Sequence, residues 1–107
     1  MKKIAILTCL EATRVCSGAA CFSALNQRTA FFQPYVETEV EVLGFFHCNG
    51  CKDPIFDGMD YKFEQLKRSG VETLHMARCI EVECHRYNEM KLALETKGFS
   101  VVKGSHR

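Results

Sequence analysis

Ile4-Ala5-Ile6-Leu7-Thr8-Cys9 follows the opening Met1-Lys2-Lys3. So short a run of β-branched and other apolar residues reads as a strand, and it delivers a cysteine at its carboxyl end. The arrangement recurs along the chain. Val40-Glu41-Val42-Leu43-Gly44-Phe45-Phe46 runs into His47 and Cys48, Glu72-Thr73-Leu74-His75-Met76-Ala77 leads to Cys79, and Ser100-Val101-Val102-Lys103 leads to His106. If these strands are parallel, all four ends meet on one edge of one sheet, which is where open parallel sheets bind ligands and metals.

Between the strands the apolar spacing turns helical. Phe22, Leu25, Thr29 and Phe32 predict a first helix stopped by Pro34, with Ser17 available as its cap. Asp53-Pro54 offers an N-cap and a first-turn proline for a second helix whose inner face is Phe56, Met59, Phe63 and Leu66. Gly58 moves its expected start toward Asp57, and Gly70 is the expected terminator. A third helix is expected from Glu83 or Cys84, showing Tyr87, Met90 and Leu94 and closing at Lys97-Gly98. Alternating strands and helices imply right-handed crossovers and a sheet covered on both faces. The expected fold is therefore α/β: a single three-layer domain over residues 1–107 with a four-stranded parallel sheet in the order 2-1-3-4, of Rossmann or flavodoxin-like type. In that order Cys9 and Cys79 flank the crevice where the winding reverses.

The chain has 107 residues, enough for one core without disulfide staples. Hydrophobic residues make up 47% and charged residues 25%, an ordinary globular balance. The apolar run after Met1-Lys2-Lys3 is too short for a signal peptide, and nothing reaches the length of a membrane span. A cytoplasmic location is expected. Seven cysteines in a reducing compartment argue for metal binding or redox chemistry rather than a disulfide framework. A net charge of +1, with the basic residues scattered, leaves no electrostatic footprint for nucleic acid. A metal ion is the expected partner, with a protein or small-molecule partner left open.

Cys48-Asn49-Gly50-Cys51 is a C-x-x-C at a strand-to-helix junction, where both sulfurs reach one ion or form one disulfide. Asn49 and Gly50 tolerate the left-handed backbone that a tight loop around a metal requires. Cys9 and Cys16 are the next candidates. Cys21 shares a helical face with Leu25 and Phe32 and fits a buried, inert thiol as well as a ligand. Cys79 and Cys84, with His85, fall in the loop expected after the third strand. His75 lies within a strand and reads as a hydrogen-bonded core residue, while His47 alternates with Cys48 and points away from it. His85 and His106 lie at element ends and are the better imidazole candidates.

In order and spacing, Ile4 to Cys9, Cys16, Gly44-Phe45-Phe46-His47 with Cys48-Asn49-Gly50-Cys51, His75-Met76-Ala77-Arg78-Cys79, and Val101-Val102-Lys103-Gly104-Ser105-His106 resemble the CGGC domain family. The family takes its name from a central Cys-Gly-Gly-Cys, and its many cysteines and histidines suggest zinc binding. Here Asn49 replaces the first of those glycines, and Ser105 stands where a threonine is usual. The resemblance implies a metal role for Cys9, Cys16, Cys48, Cys51, Cys79, Cys84 and His106.

Two classes of function use these residues. In a metal protein zinc is the first expectation, since it accepts thiolate and imidazole in a tetrahedral set, and an iron–sulfur cluster is the alternative. In a thiol–disulfide oxidoreductase Cys48 or Cys51 is the nucleophile, and Cys9 or Cys79 resolves the mixed disulfide. For a metal-activated hydrolase no general base stands out, because Glu11, Glu81 and Glu83 are equivalent in pattern.

Overall fold

A computed structural model describes all of residues 1–107. Four strands, β1 (Lys2–Thr8), β2 (Val40–His47), β3 (Thr73–Met76) and β4 (Ser100–Lys103), form one sheet in the order β2-β1-β3-β4. Every neighbouring pair is parallel, as the strand and helix alternation implies.

Side-chain alternation along the central strands divides the core in two. Ala5 and Leu7 of β1, with Leu74 and Met76 of β3, pack on α2 (Asp60–Arg68) and α4 (Tyr87–Thr96) through Phe63, Leu66, Met90 and Leu94. Ile4 and Ile6 face the other way, onto α1 (Ala19–Gln27) and the 3-10 segment Ala30–Tyr35, through Cys21, Leu25, Phe32 and Tyr35. Gly44 marks a close approach of helix to sheet on the first side. A Cβ there would meet Leu66 Cδ2 at 2.6 Å and the Ala5 Cβ at 3.2 Å. The pairing of β2 with β1 shifts register at the same place, opposite Ile4 and Ala5.

Three helix expectations need correction. The first helix does not run to Pro34: it ends at Gln27, where Arg28 turns left-handed at φ 55°, and the chain re-enters a 3-10 segment that contains Pro34. Its N-cap is Gly18, while the Ser17 hydroxyl accepts the Ala19 amide at 3.3 Å. The second helix starts at Asp60 rather than at Asp53 or Asp57. Phe56 and Gly58 both take positive φ, 63° and 78°, which breaks a helix before it can form. The third helix starts at Tyr87, not at Glu83 or Cys84. The supposed loop from Cys79 to Cys84 contains a helix of its own, α3 (Arg78–Glu83). The glycine terminators hold: α2 and α4 are followed by Gly70 at φ 90° and Gly98 at φ 96°.

Candidate functional site

The strand ends are pinned by hydrogen bonds that continue the sheet ladder past the last strand residues. The Cys48 amide donates to the Thr8 carbonyl at 2.9 Å, the Ala77 amide to Leu7 at 2.9 Å, and the Gly104 amide to Met76 at 2.8 Å. Each bond fixes the start of a loop that carries sulfur or imidazole. The result is a row of four chain exits along one sheet edge, Cys9, Cys48, Ala77 and Gly104. Cys79 sits in the first turn of α3, and its Sγ accepts the Cys9 amide at 3.2 Å. The Leu10 amide donates to Cys48 Sγ at 3.4 Å. Cys9, Cys48 and Cys79 are therefore neighbours, as expected of residues that follow three adjacent strands.

The expected single cluster nevertheless divides in two. Cys9, Cys48, Cys51 and Cys84 line one cavity of about 40 Å³ on the α2/α4 side, together with Ile55, Ile80 and Met90. Cys16, Cys79 and His106 line another of about 30 Å³ on the α1 side, and Cys21 joins them. Cys79 stands at the border between the two: it packs against the core on both sides of the sheet, its Sγ receives the Cys9 amide, and it lines the second cavity. All seven cysteines are free thiols. As they stand, no three histidine, cysteine, aspartate or glutamate side chains form a group positioned to hold a metal ion.

In the first cavity Cys48 is buried, Cys51 is exposed at φ 65°, and Cys84 follows directly on α3. Burial pushes the Cys84 thiol above its ordinary pKa, against the Arg86 amide, and negative charge on Cys51, Cys48 or Cys9 would push it further. Asn49 donates to the Asp57 carbonyl at 3.0 Å and ties the C-x-x-C loop to the turns before α2. Arg86 is a cavity-lining residue that sequence reasoning missed. It lines the cavity, donates to the Lys52 carbonyl at 2.9 Å and pairs with Glu89 Oε1 at 2.7 Å and Asp53 Oδ1 at 3.4 Å. The hydrogen bond that the guanidinium donates to Glu89, with the charge of that carboxylate, raises the guanidinium pKa still further. Thus one side chain clamps the segment after Cys51 to the start of α4. Its only signal in sequence is its place two residues after Cys84.

Around the second cavity the scaffold is a buried side-chain network. His75 is fully buried, and its Nδ1 lies 2.9 Å from the Gly104 carbonyl. A carbonyl only accepts, so Nδ1 carries the proton and Nε2 accepts the Tyr35 hydroxyl at 2.9 Å. His75 is thus the satisfied core histidine that its place in a strand implies. Burial holds its pKa below the usual value, with the Gly104 bond opposing. Gly104, at φ 106°, lies against the Phe31 ring, which a Cβ would overlap. The turn sets Ser105, fully buried, between the Arg78 amide at 3.3 Å and Cys21 Sγ at 3.1 Å. Burial pushes the Cys21 and Cys79 thiols up as well. His85 is exposed and lines neither cavity, and His47 Nδ1 is occupied by the Cys48 carbonyl at 2.7 Å.

No helix is long and apolar enough to cross a membrane. No curated protein and no solved structure matches the chain. A protein-family model does: the CGGC domain matches residues 3–106, nearly the full length, with the Cys48-Asn49-Gly50-Cys51 loop at its centre, and this cysteine-rich chain belongs to that family.

Proposed function

We propose that this protein binds a soft divalent cation, zinc foremost, through Cys9, Cys48, Cys51 and Cys84. The observation behind the reading is that four thiols from three chain segments line one small cavity, which Ile55, Ile80 and Met90 share with Asn49, Glu83 and Arg86. They fit zinc in donor type and number, since four thiolates are a standard tetrahedral set. A cavity of about 40 Å³ suits an ion rather than an organic cofactor. The sulfurs share the cavity without converging on a point, so binding draws them together by side-chain rotation. A bound cation supplies the positive charge that keeps buried thiols deprotonated, against the desolvation that now raises Cys84. Arg86 holds two of the contributing segments in place, and the Leu10 amide orients Cys48. An iron–sulfur cluster would call on the same thiolates.

A second reading draws on the contrast between exposed Cys51 and buried Cys48. The Cys51 thiolate would attack a substrate disulfide and release one substrate thiolate. Cys48 would then displace the other, leaving a Cys48–Cys51 disulfide and a substrate reduced by two electrons. The test is metal analysis and visible absorption of anaerobically purified protein, repeated for Cys51→Ser and Cys84→Ser. The expected result is colourless protein containing zinc, with less in both variants. Brown protein containing iron transfers the site to a cluster. Metal-free protein that cycles between dithiol and disulfide establishes the redox reading instead.

A further inference from the structure

The two edges of the sheet differ in how they are protected. β4 closes one edge with four residues and ends in Lys103, and a short strand and a lysine are both guards against strand addition. β2 closes the other with eight residues, Val40–His47, among them neither lysine nor proline. We propose that this edge pairs with the same edge of a second copy, antiparallel about a two-fold axis, so that two sheets join into one. The interface is independent of the thiols and goes beyond the metal reading.

Backbone direction supports it. Glu39 turns its carbonyl toward β1, where it accepts the Lys2 amide at 2.9 Å, and Cys48 turns its amide to Thr8 at 2.9 Å. Alternation inward from these two ends points the groups of Val40, Val42, Phe45 and His47 away from β1. No backbone bond outside the helices and the sheet uses those four residues. The register shift opposite Ile4 and Ala5 leaves Leu43 as the extra residue and changes the parity between the two halves of the strand. A two-fold axis between Leu43 and Gly44 therefore sets Phe45 opposite Val42 and His47 opposite Val40, each pair facing outward and able to exchange two hydrogen bonds.

The side chains agree with that register. Phe45 meets Phe22 of α1 with ring centroids 5.2 Å apart, and Val40 and Val42 pack on the same α1-side core, so the paired residues share a face. Phe45 is 41% exposed, and pairing covers it. On the other face Glu41 falls opposite Phe46, whose ring meets Phe63 of α2 at 5.9 Å. A groove of about 360 Å³ runs there between β2 and α2, lined by Phe46, Leu66, Gln65 and Lys62. The partner's Glu41 enters it beside Lys62. Neither Glu41 nor Lys62 has an ion pair within its own chain, and the two-fold axis makes the complementary contact twice.

The test is analytical ultracentrifugation of the full-length chain over a range of concentrations, with reductant and chelator present so that neither a disulfide nor a bridging ion joins two copies. A concentration-dependent dimer is expected. In a mixture of isotope-labelled and unlabelled chains, the α-protons of Glu41 and Phe46 should show a contact between copies, because that pair lacks hydrogen bonds and lies closest. Val42→Pro removes an outward amide but no bond to β1, and should give a folded monomer. Glu41→Lys should weaken the dimer about tenfold or more, and combining it with Lys62→Glu should restore it. If Val42→Pro does not fold, the charge variants decide. A monomer at every concentration overturns the proposal and leaves the edge to a strand from a different protein. A dimer that Glu41→Lys does not weaken, and that lacks the Glu41–Phe46 contact, has its interface elsewhere and overturns the proposal as well.

Discussion

The two thiol compartments stand within a few residues of each other and are held by different means. The Cys9–Cys48–Cys51–Cys84 side rests on irregular chain, with left-handed Cys51 and Phe56 and a half-buried arginine as its clamp. The Cys16–Cys21–Cys79–His106 side rests on core. Tyr35, His75, Gly104 and Ser105 form a buried relay from the 3-10 segment to Cys21. Sites hung on loops respond to loop contacts, and sites hung on the core respond to stability.

That contrast is open to attack at several points. The largest effect should come from the shared sheet. Leu74→Ala, in a residue fully buried under α2 and α4, is expected to cost about 2–5 kcal/mol in urea unfolding and to weaken both compartments. A loss confined to one compartment would mean that the sheet does not couple them. Next comes His75→Phe, which leaves the Tyr35 hydroxyl and the Gly104 carbonyl without their partner. About 1–3 kcal/mol is expected for each orphaned group, and the Cys21 side should be selectively disturbed.

The same histidine gives a pH signature. Burial lowers its folded pKa, while the unfolded chain takes up the proton near pH 6.5. Stability is therefore full above about pH 6.5 and falls as pH drops below it. Urea midpoints at pH 7.5 and 5.5 check the sign, and His75→Phe should remove His75's share of the slope. The smallest effect on stability is expected from Arg86→Gln, whose acidic partners Asp53 and Glu89 are exposed. It should leave the urea midpoint nearly unchanged while speeding metal release from the first compartment. An unchanged release rate would mean that the arginine does not hold the loop-borne thiols in place.

Strand order was readable because each strand is an apolar run ending near a cysteine or histidine, and because alternating elements permit few topologies. Helix boundaries were less so. From Asp53 to Met59 a cap, a proline and an apolar face point to a helix, yet two residues there take left-handed backbone, and Asn49 ties down the Asp57 carbonyl from eight residues away. Such a contact has no local signature. The six-residue α3 escaped notice because it is too short for helical periodicity to register, and with it went the placement of Cys79 in a first helical turn rather than in a loop. Arg86 was invisible for the same reason as Asn49. Its partners Lys52 and Asp53 lie more than thirty positions earlier in the chain.

The amides that extend the ladder past the strands, at Cys48, Ala77 and Gly104, are held by sheet hydrogen bonds although they open the loops of the site. Backbone freedom at those positions is therefore lost on folding rather than on ligation. For Cys9, Cys48 and Cys79, which adjoin the pinned residues, what remains to be frozen when a ligand arrives is mostly one side-chain torsion per thiol. The entropic penalty of ordering them is correspondingly small. In hydrogen exchange, adding metal should slow the amides around Cys51 and Cys84 while leaving those three ladder amides unchanged.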